Sequence, residues 1–323
     1  MRITGHRALK SLITVTIAML SAGASIAQDY PTRPIRVIAP GVGGVADVTA
    51  RLLAPPVSQL IGQQLIVENR ASGVIPGQVV ASSQPDGYTL LVYGPPVWLS
   101  QYLQDAVPYD VVRDLAPITL AISTPNVLAV NPAVTASTVA ELLALARSKP
   151  GELNYGSNGN GSSGHLAAEL LKSMAGINIV KINYKSGGAA IGDLMVGRVQ
   201  LYFAPAPTVS AQIKAGKLKA IAIASAKPSA LAPGLPTVAA TIPGYVVEST
   251  TAVFARAGTP APILNRLNQA FVRALNTAAV KEKFFSVGSE VVASTPEELA
   301  AAVKVEMDRF GKLIKDAGIR NED

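Results

Sequence analysis

The residues of this chain best suited to chemistry lie between Leu153 and Gly176, LNYGSNGNGSSGHLAAELLKSMAG. A short strand end runs into a loop of Gly, Ser and Asn, and a helix follows. Glycines 156, 159, 161 and 164 let the backbone turn where a side chain would clash. Ser162 and Ser163 stand where a helix N-cap stands, and Leu166, Leu170, Leu171 and Met174 recur at helical spacing. The first turn of such a helix offers unpaired N–H groups at the positive end of a dipole, a site for a carboxylate or phosphate that needs no arginine. An ordinary strand-to-helix turn that binds nothing has the same sequence.

His165 in this turn is one of two histidines in the chain, and the other lies at position 6. A hydrolytic triad would therefore rest on His165, with Ser157, Ser162 or Ser163 as nucleophile. No G-x-S-x-G elbow is present, and Ser162 is too near His165 in sequence for elbow geometry. The alternative is a polar turn histidine lining a pocket. Gly159-x-Gly161-x-x-Gly164 matches the dinucleotide fingerprint formally, but Ile182-Asn183-Tyr184 stands where the ribose-binding acid belongs. No Walker lysine follows a glycine loop. No cluster of histidines or acids suggests a metal, and the absence of cysteine removes thiolate ligands and disulfides. Binding without chemistry remains, with no cofactor and no metal.

The elements that must position these residues alternate strand and helix. Pro34–Pro40 reads as a strand ending in Gly41-Val42-Gly43-Gly44, and a helix through about Leu60 has Asp47 in its first turn, where a carboxylate complements the dipole. Strands at 64–68 and 88–93 complete a β-α-β-α-β order, which implies a parallel sheet with right-handed crossovers. Ligands of such sheets sit beyond the carboxyl ends of the strands, which puts the loops at 41–46, 70–76 and 93–98 on one edge. Further strands are expected at 118–123 and 127–130, split by Thr124-Pro125-Asn126. The stretch from 138 to 224 repeats the β-α-β plan. Residues 226–247 have no clear period, 253–255 is a short strand, and 262–277 and 296–317 are amphipathic helices of the kind that return to pack on a first domain. Tyr93, Trp98 and Tyr184 are aromatic candidates for a pocket wall or for the core.

With 323 residues, 49% of them hydrophobic and 5% aromatic, the chain can form two globular units of the α/β kind. Residues 1–27 read as a cleaved secretory signal: Arg2, Arg7 and Lys10 precede the apolar run Leu12–Leu20, and Ser25-Ile26-Ala27 supplies a cleavage site after Ala27. The run is shorter than the ~20 apolar residues of a membrane-spanning helix. Without the three basic residues of this leader the net charge falls from +7 to +4. The lysines are scattered, with no basic stripe for nucleic acid.

Ordered motifs from position 30 to the C-terminus carry a resemblance. They are YPTRPIRVIAP (30–40), PDGYTLL (85–91), PYD (108–110), NPAV (131–134), KPGELNYGSNGNGSSGHLAAELLKSMAG (149–176), YKSGGAAIGDLMVGRV (184–199), IKAGKLKAIAIAS (213–225), GLPTVA (234–239), GTP (258–260) and KDAGI (315–319). The chain resembles the Bug family of extracytoplasmic solute receptors, the binding components of tripartite tricarboxylate transporters. The resemblance implies a two-lobe type II periplasmic binding protein fold of mainly parallel sheets with a cleft between the lobes. Residues 28–124 and 249–323 would form the first lobe and 125–248 the second. It implies a monomeric periplasmic receptor, no catalysis, a small carboxylate ligand and membrane transporter subunits as partners.

Carried over from the family, the anion-binding positions are Gly43 and Gly44 in the first lobe. In the second they are Ser157, Asn158, Gly159, Asn160, Gly161, Ser162 and Ser163. Asp47 matches the family's aspartate after the first glycine loop. Three departures make the expected pocket less polar: Val45 replaces a hydroxyl residue, the loop at 70–75 is short, and Phe203-Ala204 replaces Phe-Asp. These departures predict a ligand with one carboxylate and an apolar or aromatic body. An exported hydrolase using His165 is the competing expectation.

Overall fold

A computed structural model describes residues 30–320 apart from 72, 158 and 185. The leader read at 1–27 and the site position Asn158 lie outside the described residues. Ten strands are present among these: β1 (Ile35–Ala39), β2 (Leu65–Asn69), β3 (Thr89–Tyr93), β4 (Leu115–Val130), β5 (Asn154–Ser157), β6 (Val180–Asn183), β7 (Leu201–Pro205), β8 (Lys219–Ile223), β9 (Glu248–Arg256) and β10 (Glu290–Val291). They form a curled mixed sheet in the order β2-β1-β3-β9-β4-β7-β5-β6, with β8 and β10 also paired to β4.

The pairing within each lobe is parallel, as the alternation of strand and helix requires. β1 lies parallel to β2 and β3, and β5 lies parallel to β6 and β7. The strands that join the two lobes are antiparallel to their neighbours. β3 is fully buried, consistent with helices on both faces. The helix Val45–Ile61 buries Ala46, Ala50, Leu53, Val57 and Ile61, one stripe at helical period, against this sheet.

Four regions differ from the sequence expectation. The pieces expected at 118–123 and 127–130 are one strand of 16 residues. Its prolines do not interrupt it, because each falls where the ladder is irregular. Pro117 adjoins a register shift, and Pro125 is the last β4 residue paired with β9 before Asn126 begins the pairing with β7. A residue without an N–H is tolerated at such points. β9 is likewise longer than 253–255, so two long strands pass from one lobe to the other. Helices Pro96–Leu103 and Ala278–Ser286 carry no clear period in the sequence and were not expected.

The C-terminal helices return to the first lobe. Ala261–Leu275 packs on Val45–Ile61, and Pro296–Asp316 packs on β4 and on Pro96–Leu103. Gly311 permits the second contact, since a Cβ there would lie 2.7 Å from the Tyr102 ring. Thr295 and Glu298 form a reciprocal capping box at the start of this last helix.

Candidate functional site

The first glycine loop leaves β1 at Ala39 and enters the helix at Val45. Gly43 has φ +84°, a left-handed conformation that favours glycine. The loop is held from below by Asp47. One carboxylate oxygen of Asp47 accepts the Gly43 N–H at 2.9 Å, and the other accepts Arg51 Nε at 2.9 Å and Asn69 Nδ2 at 2.8 Å. Asn69 also donates to the Pro40 carbonyl at 2.7 Å. Burial opposes ionisation of Asp47, but the Gly43 N–H, Asn69 and Arg51 outweigh it and hold its pKa below the usual carboxylate value. Asp47 therefore shapes the loop and does not reach for a ligand. Gly44 is the N-cap and offers no side-chain cap to the helix.

This uncapped helix start borders a crevice of about 250 Å³. Its walls come from residues 40–41, 44–46, 93–96 and 249–251, so two of the three loops expected on one edge do meet there. The third is tied to them: the Tyr93 hydroxyl accepts the Gly73 N–H at 3.2 Å. A Cβ on Gly94 would lie 2.5 Å from the Thr250 carbonyl, which makes glycine necessary for this approach of β3 to β9. On the other side of Val45 a second crevice of about 210 Å³ is lined by Val45, Val48, Phe284 and Val287, with Gly43, Thr49 and Ser289. Val45 is half exposed between the two.

The second glycine loop is built differently. Ser157, at the end of β5, is buried, and its hydroxyl donates to the Gly159 carbonyl at 3.3 Å. Gly159 and Gly161 have φ +129° and +73°. Ser162 is the N-cap of helix Ser163–Ala175 and accepts the His165 N–H at 3.3 Å. Ser163 Oγ donates to Asn126 Oδ1 of the crossing strand at 3.3 Å. Asn160 accepts Lys181 Nζ at 2.8 Å and donates to the Arg320 carbonyl. A Cβ on Gly161 would lie 2.5 Å from Leu103, so this loop touches the first lobe. Gly164 seats the helix against β7, since a Cβ there would lie 2.4 Å from the Phe203 carbonyl.

Several expected site residues take other roles. Trp98 is a correction: it is 2% exposed, donates its Nε1–H to Glu306 Oε2 at 2.8 Å, and packs on Phe254 at 6.1 Å between ring centres. Its helix turns it toward the C-terminal helix and away from the crevice. Ala204 is also corrected from pocket to core, because it pairs with Val127 inside the sheet and is fully buried. Tyr184 packs against the second lobe's core and donates its hydroxyl to Asp193 at 2.9 Å. His165 is 1% exposed, stacks on Tyr155, and its Nδ1 accepts the Gly161 N–H at 3.1 Å. Its ring holds the loop from inside, and Ser162, one of the expected nucleophiles, accepts a backbone N–H as a helix cap. Sequence reasoning missed the crevice wall at Ser249, Thr250 and Thr251. The available signal was a run of three hydroxyl residues in front of the apolar stretch Ala252–Ala255.

The family model for the tripartite tricarboxylate transporter family receptor matches residues 49–319. The chain belongs to this family. It is 35% identical over 319 residues to the protein BugT of Bordetella pertussis, covering 97% of this chain and 98% of that protein. Among solved structures, an R. palustris protein with adipate has 34% identity and a TM-score of 0.75, covering 90% of this chain and 99% of that one. MatC from Rhodopseudomonas palustris with bound malate has 27% identity and a TM-score of 0.71, covering 88% and 100%. Family and structural neighbours are solute-binding receptors, and receptors of this family are periplasmic. No helix among the described residues of this chain is long and apolar enough to cross a membrane.

Proposed function

We propose that this receptor captures a small carboxylate with an apolar or aromatic body and delivers it to the membrane subunits of a tripartite tricarboxylate transporter. The observation that carries the reading is the uncapped start of helix Val45–Ile61, which borders the 250 Å³ crevice, with an apolar crevice on the far side of Val45. The first-turn N–H groups and the dipole receive the carboxylate. Val45, Val48, Phe284 and Val287 take the apolar part. In this reading lobe I (28–124 and 249–323) and lobe II (125–248) close on the ligand about the crossing strands. The leader is removed after Ala27, and the mature chain acts as a periplasmic monomer without catalysis.

Native mass spectrometry of the mature protein, followed by thermal shifts with adipate, benzoate, malate and citrate, tests this reading. Ligand at 100 times its dissociation constant adds about 2.7 kcal/mol of stability. Adipate or benzoate is expected to stabilise more than citrate does. Stabilisation by citrate alone would overturn the apolar-body reading. No shift with any acid, together with turnover of an ester or amide, would overturn the receptor reading.

A further inference from the structure

Thr250 lies on β9, in the wall of the crevice at the start of helix Val45–Ile61. Its side chain is buried, with 8% of the residue exposed, and its Oγ1 has no hydrogen-bond partner. Buried hydroxyls are nearly always paired, and an unpaired one lowers the stability of the free protein relative to a methyl group of the same shape. Among the described residues only Gln212 Oε1 shares this condition. The neighbouring polar groups do not relieve it: the Tyr93 hydroxyl is engaged by Gly73, and Val45 has no polar side-chain atom.

The strand also fixes where Thr250 stands. Its backbone pairs in register with Ser123 of β4, and its carbonyl rests against Gly94 at the end of β3. One rotamer step about χ1 moves Oγ1 into the place held by Cγ2, and Cγ2 into that of the Cβ hydrogen, which turns the hydroxyl without moving the backbone.

Resting on the receptor reading above, we propose that Thr250 is a ligand-binding residue, whose hydroxyl donates a hydrogen bond to the carboxylate held at the first turn of helix Val45–Ile61. The helix start supplies backbone N–H groups and Thr250 supplies the side-chain donor. The contact also joins the ligand to a strand that passes between the lobes, so that the bound anion bridges a loop of the first lobe and the crossing segment.

The test compares wild type, T250V and T250S by thermal melting without ligand and by calorimetric titration with adipate and with benzoate. T250V keeps the shape and removes the hydroxyl. It is expected to melt at or above the wild-type temperature when free, and to bind the acid at least about tenfold more weakly, the worth of one hydrogen bond to a charged group. T250S keeps the hydroxyl and is expected to bind within about threefold of wild type, because only a methyl group is lost. Wild-type affinity in T250V would overturn the assignment and leave the receptor reading intact. So would equal weakening in T250S and T250V, since a variant that keeps the hydroxyl would then bind no better than one that lacks it. A lower melting temperature for free T250V would show that the hydroxyl is already paired, and would remove the premise. Failure of the wild type to bind either acid would instead overturn the reading of a carboxylate with an apolar or aromatic body, on which the proposal rests.

Discussion

The two glycine loops answer the same design problem in opposite ways. The second, Ser157 to Ser163, has more serines and asparagines, yet it spends them internally. Ser162 caps its own helix, Ser157 holds Gly159, Asn160 spans Lys181 and Arg320, and His165 takes the Gly161 N–H. The first loop has Val45 where a hydroxyl residue was expected, and its Val42 is 77% exposed. Its one carboxylate, Asp47, braces the loop from within, and no side chain caps its helix. The polar loop is therefore the more satisfied one, and the apolar loop leaves its helix end open. A count of polar residues says little about which loop has hydrogen-bonding capacity to spare.

The largest effect that would test this contrast is steric. Gly164→Ala pushes a Cβ into the Phe203 carbonyl and is expected to cost about 3 kcal/mol, as overpacking against backbone does. Gly44→Ala meets only an ordinary contact, 3.6 Å from the Gly41 carbonyl, and should stay within about 1 kcal/mol of wild type in urea unfolding. Equal losses would mean that the two loops are packed alike.

A second test concerns the support behind the first loop, where Trp98 and Glu306 join the helix after β3 to the C-terminal helix. Burial pushes the Glu306 carboxyl up to about 7; the Trp98 N–H opposes this, the Glu248 charge adds to it, and Arg309 opposes it. An acid whose folded pKa exceeds its unfolded value near 4.5 favours the folded state at low pH. Its contribution is lost as pH rises from about 4.5 to about 7 and is constant above. Glu306→Gln should therefore gain stability over wild type through this window, by about 3 kcal/mol at its upper end. Trp98 is the chain's single tryptophan, so its fluorescence should titrate with a midpoint near 7 in wild type and stay flat in the variant. A flat wild-type signal would refute the perturbed carboxyl.

The smallest effects exchange the two caps. Ser162→Ala removes a cap and should cost about 1 kcal/mol. Gly44→Ser adds one and should stabilise by a few tenths of a kcal/mol while weakening binding of adipate or benzoate. Undiminished binding in Gly44→Ser would show that the open helix end is not where the anion sits.

Much of this was legible in the chain. Period-two and helical patterns, with Gly and Pro as punctuation, located most strands and helices, and the placement of loops 41–46 and 93–98 beyond the strand ends followed from parallel topology. Asp47 was found in its first turn, and Ser162 at its cap. The long crossing strand was missed because Pro117 and Pro125 look like breaks when their pairing partners are unknown. Trp98 was misplaced because an aromatic after a strand serves a pocket or a core equally well until the C-terminal helix, with Glu306, is set beside it.

Sequence alone determined what depends on neighbours in the chain: the α/β alternation, the glycine turns, the caps and the family. Only the tertiary structure decided which polar groups are used up and which are left over. Hydrogen-bond satisfaction depends on partners tens to hundreds of residues away, such as Asn69 for Asp47 and Arg320 for Asn160. Whether the Thr250 hydroxyl has a partner is settled by what surrounds it in space, and no local pattern of residues encodes that.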